Sequence, residues 1–372
     1  MQAIVNRDHL MRCLRAVNQT AAQSFLGDQV LVSVEEDGYL RLSLTSLHMV
    51  THAWCPVRDA EPGDMVAISS KAFSDWVSLM RGEIILADED QSLKAVAGAG
   101  KSQAWFRMQE PSTRFQAPRR VEKRFPMGNP EAINRVTLAV ARQEDRPVLT
   151  GVLVRVTDNA MILTGCDGYR LSEVRVPLNG EGSPDPIAVV IPHADRIQNI
   201  ANILDAQVTM GMAEKWVVFC FEGEEVRAQT EISALEGRYP DYELLIPKED
   251  LALVKATIPT ADFLRALRTV GTVAGDEGTV RITVMREDSL TEDAAMEIAT
   301  PDNTSGVARM NISATCRQDR TTVFVSGDWM MQALKLVDEP QVTLRLTPDA
   351  PIVLAVDSWK YLVMPRRGSE EQ

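Results

Sequence analysis

The sequence predicts an α+β protein of three similar domains, each made of two units that combine one helix with antiparallel strands. Three observations predict it. An amphipathic helical pattern recurs six times, the recurrences are evenly spaced, and alternating or β-branched runs bounded by turn residues fill the intervals. A chain of 372 residues with 45% hydrophobic and 24% charged residues has enough apolar sequence to bury several cores.

The helical segments begin near Asn6, Ser70, Asn129, Pro192, Thr260 and Ser326. In order, their apolar faces are Leu10/Leu14/Val17, Phe73/Val77/Met80, Ile133/Val136/Val140, Ile197/Ile200/Leu204, Phe263/Leu267/Val270 and Met330/Leu334/Val337, each at helical spacing. Asn6, Ser70, Asn129, Thr260 and Ser326 suit the N-cap, and Pro192 suits the first helical position of the fourth helix. An acid stands in or near each first turn, where the helix dipole favours it: Asp8, Asp75, Glu131, Asp195, Asp262 and Asp328. These acids are 67, 56, 64, 67 and 66 residues apart, close to one sixth of the chain.

Strands are expected at Gln29–Val34, Tyr39–Leu44, Val50–Cys55, Glu83–Ala87, Ala104–Gln109, Gly151–Val156, Met161–Thr164, Val208–Met212, Trp216–Phe221, Arg281–Val284, Val342–Leu346, Ile352–Val356 and Tyr361–Met364. Gly, Asp and Asn between them supply hairpin turns. The Pro/Arg-rich stretch Pro118–Pro130 and the segment Pro247–Pro259 fall near the joints of three domains, residues 1–124, 125–250 and 251–372.

The net charge of −13 argues at first against a nucleic-acid partner. Its distribution reverses that reading. The windows Arg7–Asn18, Ser70–Gly82, Pro130–Arg142, His193–Leu204, Thr260–Val270 and Gly327–Val337 together carry +5, which leaves −18 on strands and loops. The helical cations are Arg7, Arg12, Arg15, Lys71, Arg81, Arg135, Arg142, Arg196, Arg265, Arg268 and Lys335, candidates for one shared basic face.

Other function classes find little support. Cys13, Cys55, Cys166, Cys220 and Cys316 are odd in number and far apart, which points to reduced thiols rather than a disulfide frame or a zinc site. No apolar run reaches the length of a membrane span and MQAIVNRDHL lacks a signal-peptide core, so a cytoplasmic protein is expected. The segment AVAGAGKS, Ala95–Ser102, ends like a phosphate-binding loop, but Ala95 stands where the first glycine belongs and a strand-like run follows. A hairpin turn is the expected structure there, and a nucleotide hydrolase is the lesser alternative. His9, His48, His52 and His193 form no metal or general-base motif, and Asp88–Gln91 reads as a solvated turn. No cofactor and no catalytic residue are expected.

Three ordered motifs, spread along essentially the whole chain, resemble the bacterial sliding clamps, the beta subunits of the replicative DNA polymerase. They are RPVLTGVLVRVTDN with TGCDGYRLSEVRVP, then EGRYPDYELLIP, and the C-terminal YLVMP. The resemblance implies a non-catalytic, head-to-tail homodimeric ring around duplex DNA, with helices lining the hole. It also implies sequence-independent contacts to phosphates from the helical cations, joined by Gln143. A pocket for short linear peptides of the polymerase, the clamp loader and repair proteins would be formed by Leu149, Cys166, Gly168, Tyr169, Arg170 and Leu171, by Pro240, Leu244 and Leu245, and by Leu362, Met364, Pro365, Arg366 and Arg367. The subunit joint would lie at Trp105 and Arg107 and at Thr272 and Val273. This chain departs from the family at Tyr169, usually histidine, at Cys166, usually threonine, and at Arg366-Arg367-Gly368, which replaces a terminal M-R-L. Partner preference is therefore not carried over, and a paralogue with altered partners is an alternative. The segment Gln23–Val30 lacks the family's proline-containing stretch, so no DNA-contacting loop is assigned there.

Overall fold

In the computed structural model every helix is preceded by a strand and followed by three more, so the chain is six βαβββ repeats. The structure describes residues 1–21, 28–111, 116–142, 146–247, 254–275, 278–286, 292–301, 306–316, 320–347 and 350–367. The first repeat is β1 (Gln2–Asn6), α1 (Arg7–Ala21), β2 (Gln29–Val34), β3 (Tyr39–Thr45) and β4 (Met49–Glu61). The second is β5 (Val66–Ser69), α2 (Ser70–Leu79), β6 (Glu83–Glu89), β7 (Ser92–Ala97) and β8 (Ser102–Arg107). The third is β9 (Arg124–Pro126), α3 (Glu131–Thr137), β10 (Gly151–Val156), β11 (Ala160–Cys166) and β12 (Arg170–Pro177). The fourth is β13 (Ile187–Pro192), α4 (Asp195–Leu204), β14 (Gln207–Ala213), β15 (Trp216–Glu222) and β16 (Arg227–Ser233). The fifth is β17 (Val254–Pro259), α5 (Thr260–Gly271), β18 (Thr279–Arg286), β19 (Asp293–Ala299) and β20 (Arg309–Cys316). The sixth is β21 (Thr321–Ser326), α6 (Gly327–Leu334), β22 (Gln341–Leu346), β23 (Ile352–Val356) and β24 (Trp359–Val363).

The chain divides into two compact bodies. One holds Met1–Ile133, Leu178–Pro184 and Ile191–Leu235, the other Asn134–Pro177, Asp185–Val190 and Glu236–Gln372. The main sheet path of the first runs β8-β7-β6-β1-β4-β16-β15-β14-β9, with β2, β3 and β5 attached through β3–β4 pairing. The second runs β13-β10-β11-β12-β24-β23-β22-β17-β20-β19-β18-β21. A rule governs both. The strand that leads into a helix pairs with the first strand after the helix of a neighbouring repeat, as in β1 with β6, β5 with β2, β17 with β22 and β21 with β18. The last strand of a repeat can join another last strand, β4 with β16 and β12 with β24.

Thirteen strands coincide with expected runs and eleven do not, among them all six lead strands. Lead strands are three to six residues long, and four of them, β1, β5, β17 and β21, run into their helix with no residue between. Ser326, for instance, ends β21 and also caps α6, accepting from the Trp329 N–H at 3.5 Å. The run expected over Ala104–Gln109 starts and ends two residues earlier, as β8. Within Ala95–Ser102, Ala95 to Ala97 end β7 and Gly98 to Lys101 form the hairpin turn to β8, with Gly98, Ala99 and Gly100 at φ of +62°, +54° and +87°. A strand follows it, not a helix.

Helix limits also need correction. Ser69 rather than Ser70 caps α2, because Ser70 is already helical and donates its hydroxyl to Asn18. Pro259 holds the N-cap position of α5, and the Thr260 hydroxyl donates instead to the Glu339 carbonyl at 2.7 Å. Pro192 belongs to β13, and α4 starts at Asp195 after His193 turns the chain at φ +52°. The third helix stops at Thr137 because the Ala139 and Val140 N–H groups bond three residues back and the Ala141 N–H goes to Leu149. The sixth stops at Leu334, where the same tightening draws Leu336 and Val337 into three-residue turns.

The core follows the predicted faces except at three helix ends, where Met80, Val140 and Val337 are only half-buried. Leu10, Leu14, Val17, Phe73, Val77, Ile197, Ile200, Leu204, Phe263, Leu267 and Met330 are all buried. Gly165 on β11 lets α3 come unusually near, since a Cβ there would lie 2.2 Å from the Val136 carbonyl oxygen. Among the described residues no helix is long and apolar enough to cross a membrane.

Candidate peptide groove and nucleic-acid interface

The turn from β11 to β12 organises a groove in the second body. Gly168 sits at φ +91°, a conformation that glycine adopts without strain. The Asp167 carboxylate accepts from the Tyr169 N–H at 3.0 Å, the Arg170 N–H at 2.9 Å and the Arg170 Nε at 2.8 Å. That leaves Arg170 fixed along the wall and Tyr169 thrown outward, 66% exposed. Pairing of Leu171 with both Cys166 and Leu362, then a bond from the Met364 N–H to the Tyr169 carbonyl at 2.8 Å, brings β24 and its extension alongside.

Two depressions that share Gly168, Tyr169 and Arg170 result. The smaller encloses about 250 Å³ of free space and is lined by Cys166, Gly168, Tyr169, Arg170, Leu171, Leu245, Pro351, Leu362 and Met364. The larger, about 1460 Å³, shares the turn and adds Val140, Ala141, Arg142, Arg146, Leu149, Trp329 and Gln332. Tyr169, Leu244, Leu245 and Met364 are four of the nine large apolar side chains exposed among the described residues, which concentrates exposed apolar surface here.

Nine of the fourteen expected pocket residues line these depressions: Leu149, Cys166, Gly168, Tyr169, Arg170, Leu171, Leu245, Leu362 and Met364. Pro240, Leu244, Pro365, Arg366 and Arg367 are not among the lining residues. Arg366 acts beside the groove instead: its N–H bonds the Phe324 carbonyl, its guanidinium bonds Thr279 Oγ1 at 2.7 Å, and its Cζ lies 5.5 Å from the Trp329 ring centre. Arg170 approaches the same ring at 5.2 Å and donates to Gln332 at 2.8 Å. Sequence reasoning missed Trp329, Gln332, Arg146 and Pro351. A tryptophan between Asp328 and buried Met330, off the apolar face of α6, was the available signal.

The segment carrying Leu244 and Leu245 is anchored by Tyr242. Its hydroxyl receives Arg155 at 2.7 Å and Thr164 at 2.9 Å and donates to Glu173 at 2.9 Å. Burial pushes that phenol up to about 12, so it stays a donor at all ordinary pH.

The helical cations fall into two groups. Arg7 donates to the Val77 and Ser78 carbonyls at the C-terminus of α2, at 3.1 and 2.6 Å. Arg12 does the same to Ile203, at 3.3 Å, and Leu204 at the end of α4. Arg135 stacks on Trp359 at 5.0 Å near Glu339 at 3.7 Å, and Arg196 pairs with Asp195 at 3.5 Å. These four are partly buried and engaged within the protein. Arg15, Lys71, Arg81, Arg142, Arg265, Arg268 and Lys335 are exposed. Gln143 lies outside the described residues. At the expected joint, Trp105 on β8 is 54% exposed and donates to Glu89 at 3.2 Å, with Lys94 5.4 Å from its ring. Arg107 is exposed, and Thr272 and Val273 follow α5 directly.

Residues 129–241 match the family of the DNA polymerase III beta subunit, central domain. The chain is 29% identical over 253 residues to the beta sliding clamp of Streptomyces coelicolor, covering 64% of each chain. It is 26% identical over 240 residues to that of Staphylococcus epidermidis, covering 63% of this chain and 61% of the other. The match thus spans somewhat less than two thirds of these relatives' length. Its fold is that of the DNA polymerase III subunit beta of Pseudomonas aeruginosa, at TM-score 0.84, 18% identity and coverage of 99% and 100%. The beta subunit of Thermotoga maritima gives TM-score 0.84 at 15% identity, with the same coverage. Residues 129–241 thus match the beta-subunit central-domain family, and the chain is similar in sequence to bacterial beta sliding clamps and carries their fold along its length.

Proposed function

We propose that the protein is a sliding clamp that closes as a head-to-tail homodimer around duplex DNA and has no catalytic site of its own. It tethers the replicative polymerase, the clamp loader and repair proteins through short linear peptides, in the cytoplasm and without a cofactor. The observation that carries this reading is the fate of the last strands. Strands β4 and β16 are zipped together, as are β12 and β24, while β8 and β20 have no such partner among the described residues. Both present exposed side chains at every second position. Joining β8 of one protomer to the part of the next protomer's β20 that precedes its pairing with β17 would repeat the internal joint and cover the free edge of β8. Trp105 and Arg107 lie on β8, which supports their assignment to that joint.

On this reading the six repeats form three domains, 1–124, 125–250 and 251–372, and the exposed cations Arg15, Lys71, Arg81, Arg142, Arg265, Arg268 and Lys335 attract phosphates without reading sequence. The groove around Tyr169 and Met364 takes the partner peptide, whose apolar anchor is buried against Leu245 and Leu362. Sedimentation and retention on DNA test the reading together. A dimer near twice 41.2 kDa that stays on nicked circles and leaves after linearisation is expected. A monomer, or equal retention on linear DNA, overturns it.

A further inference from the structure

The repeats place a second cleft where the first body mirrors the groove of the second. It lies beside the β4–β16 joint, as the Tyr169 groove lies beside the β12–β24 joint. Its lining is Gln19, Thr20, Ser46, Leu47, His48, Met49, His193 and Arg196, around about 340 Å³ of free space. The correspondence holds element by element. The turn from β3 to β4 stands for the turn from β11 to β12, the end of α1 for the residues after α3, and the start of α4 for the start of α6. Aligned on the first-turn acids, Gln19 corresponds to Arg142, and Arg196 to Trp329. Leu47, like Tyr169, is an apolar side chain thrown outward from the turn, at 72% exposed. The turn is held rigid by the Ser46 N–H and hydroxyl, both on the Met49 carbonyl at 2.8 and 3.2 Å, and Gln19 is fixed by Asn199 at 3.2 Å.

We propose that this cleft is a second peptide groove, taking a short linear segment in which an apolar anchor is flanked by Asp or Glu. The proposal rests on the reading of the first groove, whose architecture it repeats. Charge complementarity selects the ligand: the lining holds one guanidinium, two imidazoles and no carboxylate. The nearest acid in sequence, Asp195, is exposed and paired with Arg196 at 3.5 Å, a surface contact that a ligand carboxylate can replace. Arg196 where the other groove has Trp329, and Gln19 where it has Arg142, give the two grooves different preferences. The anchor packs on Leu47 and Met49, and the ligand's carboxylate meets Arg196 with His48 and His193 as further donors.

The test uses the full-length protein and a fluorescein-labelled hexapeptide carrying two leucines, a phenylalanine and three acidic residues, with stoichiometry from fluorescence anisotropy. Two peptides per chain are expected for the wild type and one for Met364→Asp. Adding Leu47→Asp or Arg196→Glu to Met364→Asp should weaken the remaining site at least about tenfold, the effect of removing one charge-assisted bond or anchor. Leu47 is exposed, so circular dichroism should show an unchanged fold. One peptide on the wild type and none on Met364→Asp overturns the second groove and leaves the first standing. Binding indifferent to Met364→Asp but abolished by Leu47→Asp alone removes the first reading and keeps the second cleft. Binding indifferent to both overturns both. If a duplex oligonucleotide, and not the peptide, loses affinity on Arg196→Glu, the cleft is a phosphate site and the proposal fails.

Discussion

Arg119 meets the buried carboxylate of Glu231 twice, through its backbone N–H at 2.7 Å and through its guanidinium. Gln229 closes the arrangement, donating to the Arg119 carbonyl and to Glu231 at 2.9 Å each, while Arg119 stacks on Trp216 with its Cζ 4.2 Å from the ring centre. Glu231 stands on β16, fully excluded from water, where an unpaired charge is costly. The pair therefore pins the segment before β9 to the sheet.

Removing one partner strands the other. Arg119→Ala should cost about 3–5 kcal/mol in urea denaturation, the usual penalty for an uncompensated buried charge. Glu231→Gln should cost less, because the amide keeps an acceptor for the Arg119 N–H and Arg119 itself reaches water. Equal losses in the two variants would mean that packing on Trp216, not the charge pair, holds the segment.

His52 lies next to this pair and supplies a pH signature. Its Nδ1 is 2.8 Å from Ser43 Oγ and its Nε2 is 4.0 Å from Glu231. Burial first, then the positive charges of Arg41 and Arg119, lower it from 6.5 to about 3. The folded protein keeps this imidazole neutral while the unfolded chain protonates it near 6.5. Its contribution is thus intact above that pH and is lost as pH falls toward 3, by about 1.4 kcal/mol per pH unit between the two values. His52→Gln, which cannot ionise, should flatten the dependence of the urea midpoint on pH between 6 and 4. An unchanged slope would place the acid sensitivity elsewhere.

Much of this architecture was legible because a helix buries one stripe and repeats it. Leu10/Leu14/Val17 and Phe263/Leu267/Val270 are core residues for the reason their spacing suggests. What escaped was everything set by another part of the chain. Lead strands such as β17 and β21 are defined by partners on β22 and β18, Leu346 and Val284 among them, and carry no turn of their own. The cations show the same limit. Charge counting made Arg7 and Arg12 equivalent to Arg268, whereas only the fold reveals that the first two end on helix carbonyls. In the groove, residues with a local motif (Cys166 and Gly168 to Leu171) were found, and Trp329, which reaches it from α6, was not.

Gly165 offers a test of how closely α3 must pack. An added Cβ would meet the Val136 carbonyl oxygen at 2.2 Å and the Val140 side chain at 3.1 Å. The carbonyl cannot move without displacing the end of the helix. Gly165→Ala should destabilise the protein by about 1–3 kcal/mol through overpacking. Because Cys166 and the 167–170 turn follow immediately, peptide affinity should fall with it. A stable variant with unchanged affinity would show that α3 tolerates the shift.

Tyr169 separates binding from folding. Thrown outward by the Asp167-Gly168 turn, it contributes little packing, so Tyr169→Ala should leave stability within about 0.5 kcal/mol of wild type, as surface changes do. The substitution removes an aromatic wall common to both depressions, and affinity for an apolar-anchored peptide should drop about tenfold or more. Tyr169→Phe, which keeps the ring, should retain most of it. Calorimetry on the three proteins checks both halves.

Arg12 and Arg268 divide stability from DNA attraction most sharply. The Arg12 guanidinium lies on the Ile203 and Leu204 carbonyls, where the negative end of α4 favours a cation. Arg12→Ala should therefore lower stability by about 1–2 kcal/mol and leave the salt dependence of DNA association nearly unchanged. Arg268 is exposed in the last turn of α5, so Arg268→Ala should do the reverse. On the proposed reading it removes one phosphate neighbour, and the slope of log K against log salt should fall by up to about 0.9 with no change in the thermal midpoint. Arg265, exposed and paired with Asp262 at 2.9 Å on the same helix, should follow Arg268. If Arg12→Ala alone reduces the slope, the partition of cations by burial is wrong and the helix-capping arginines are the ones that face DNA.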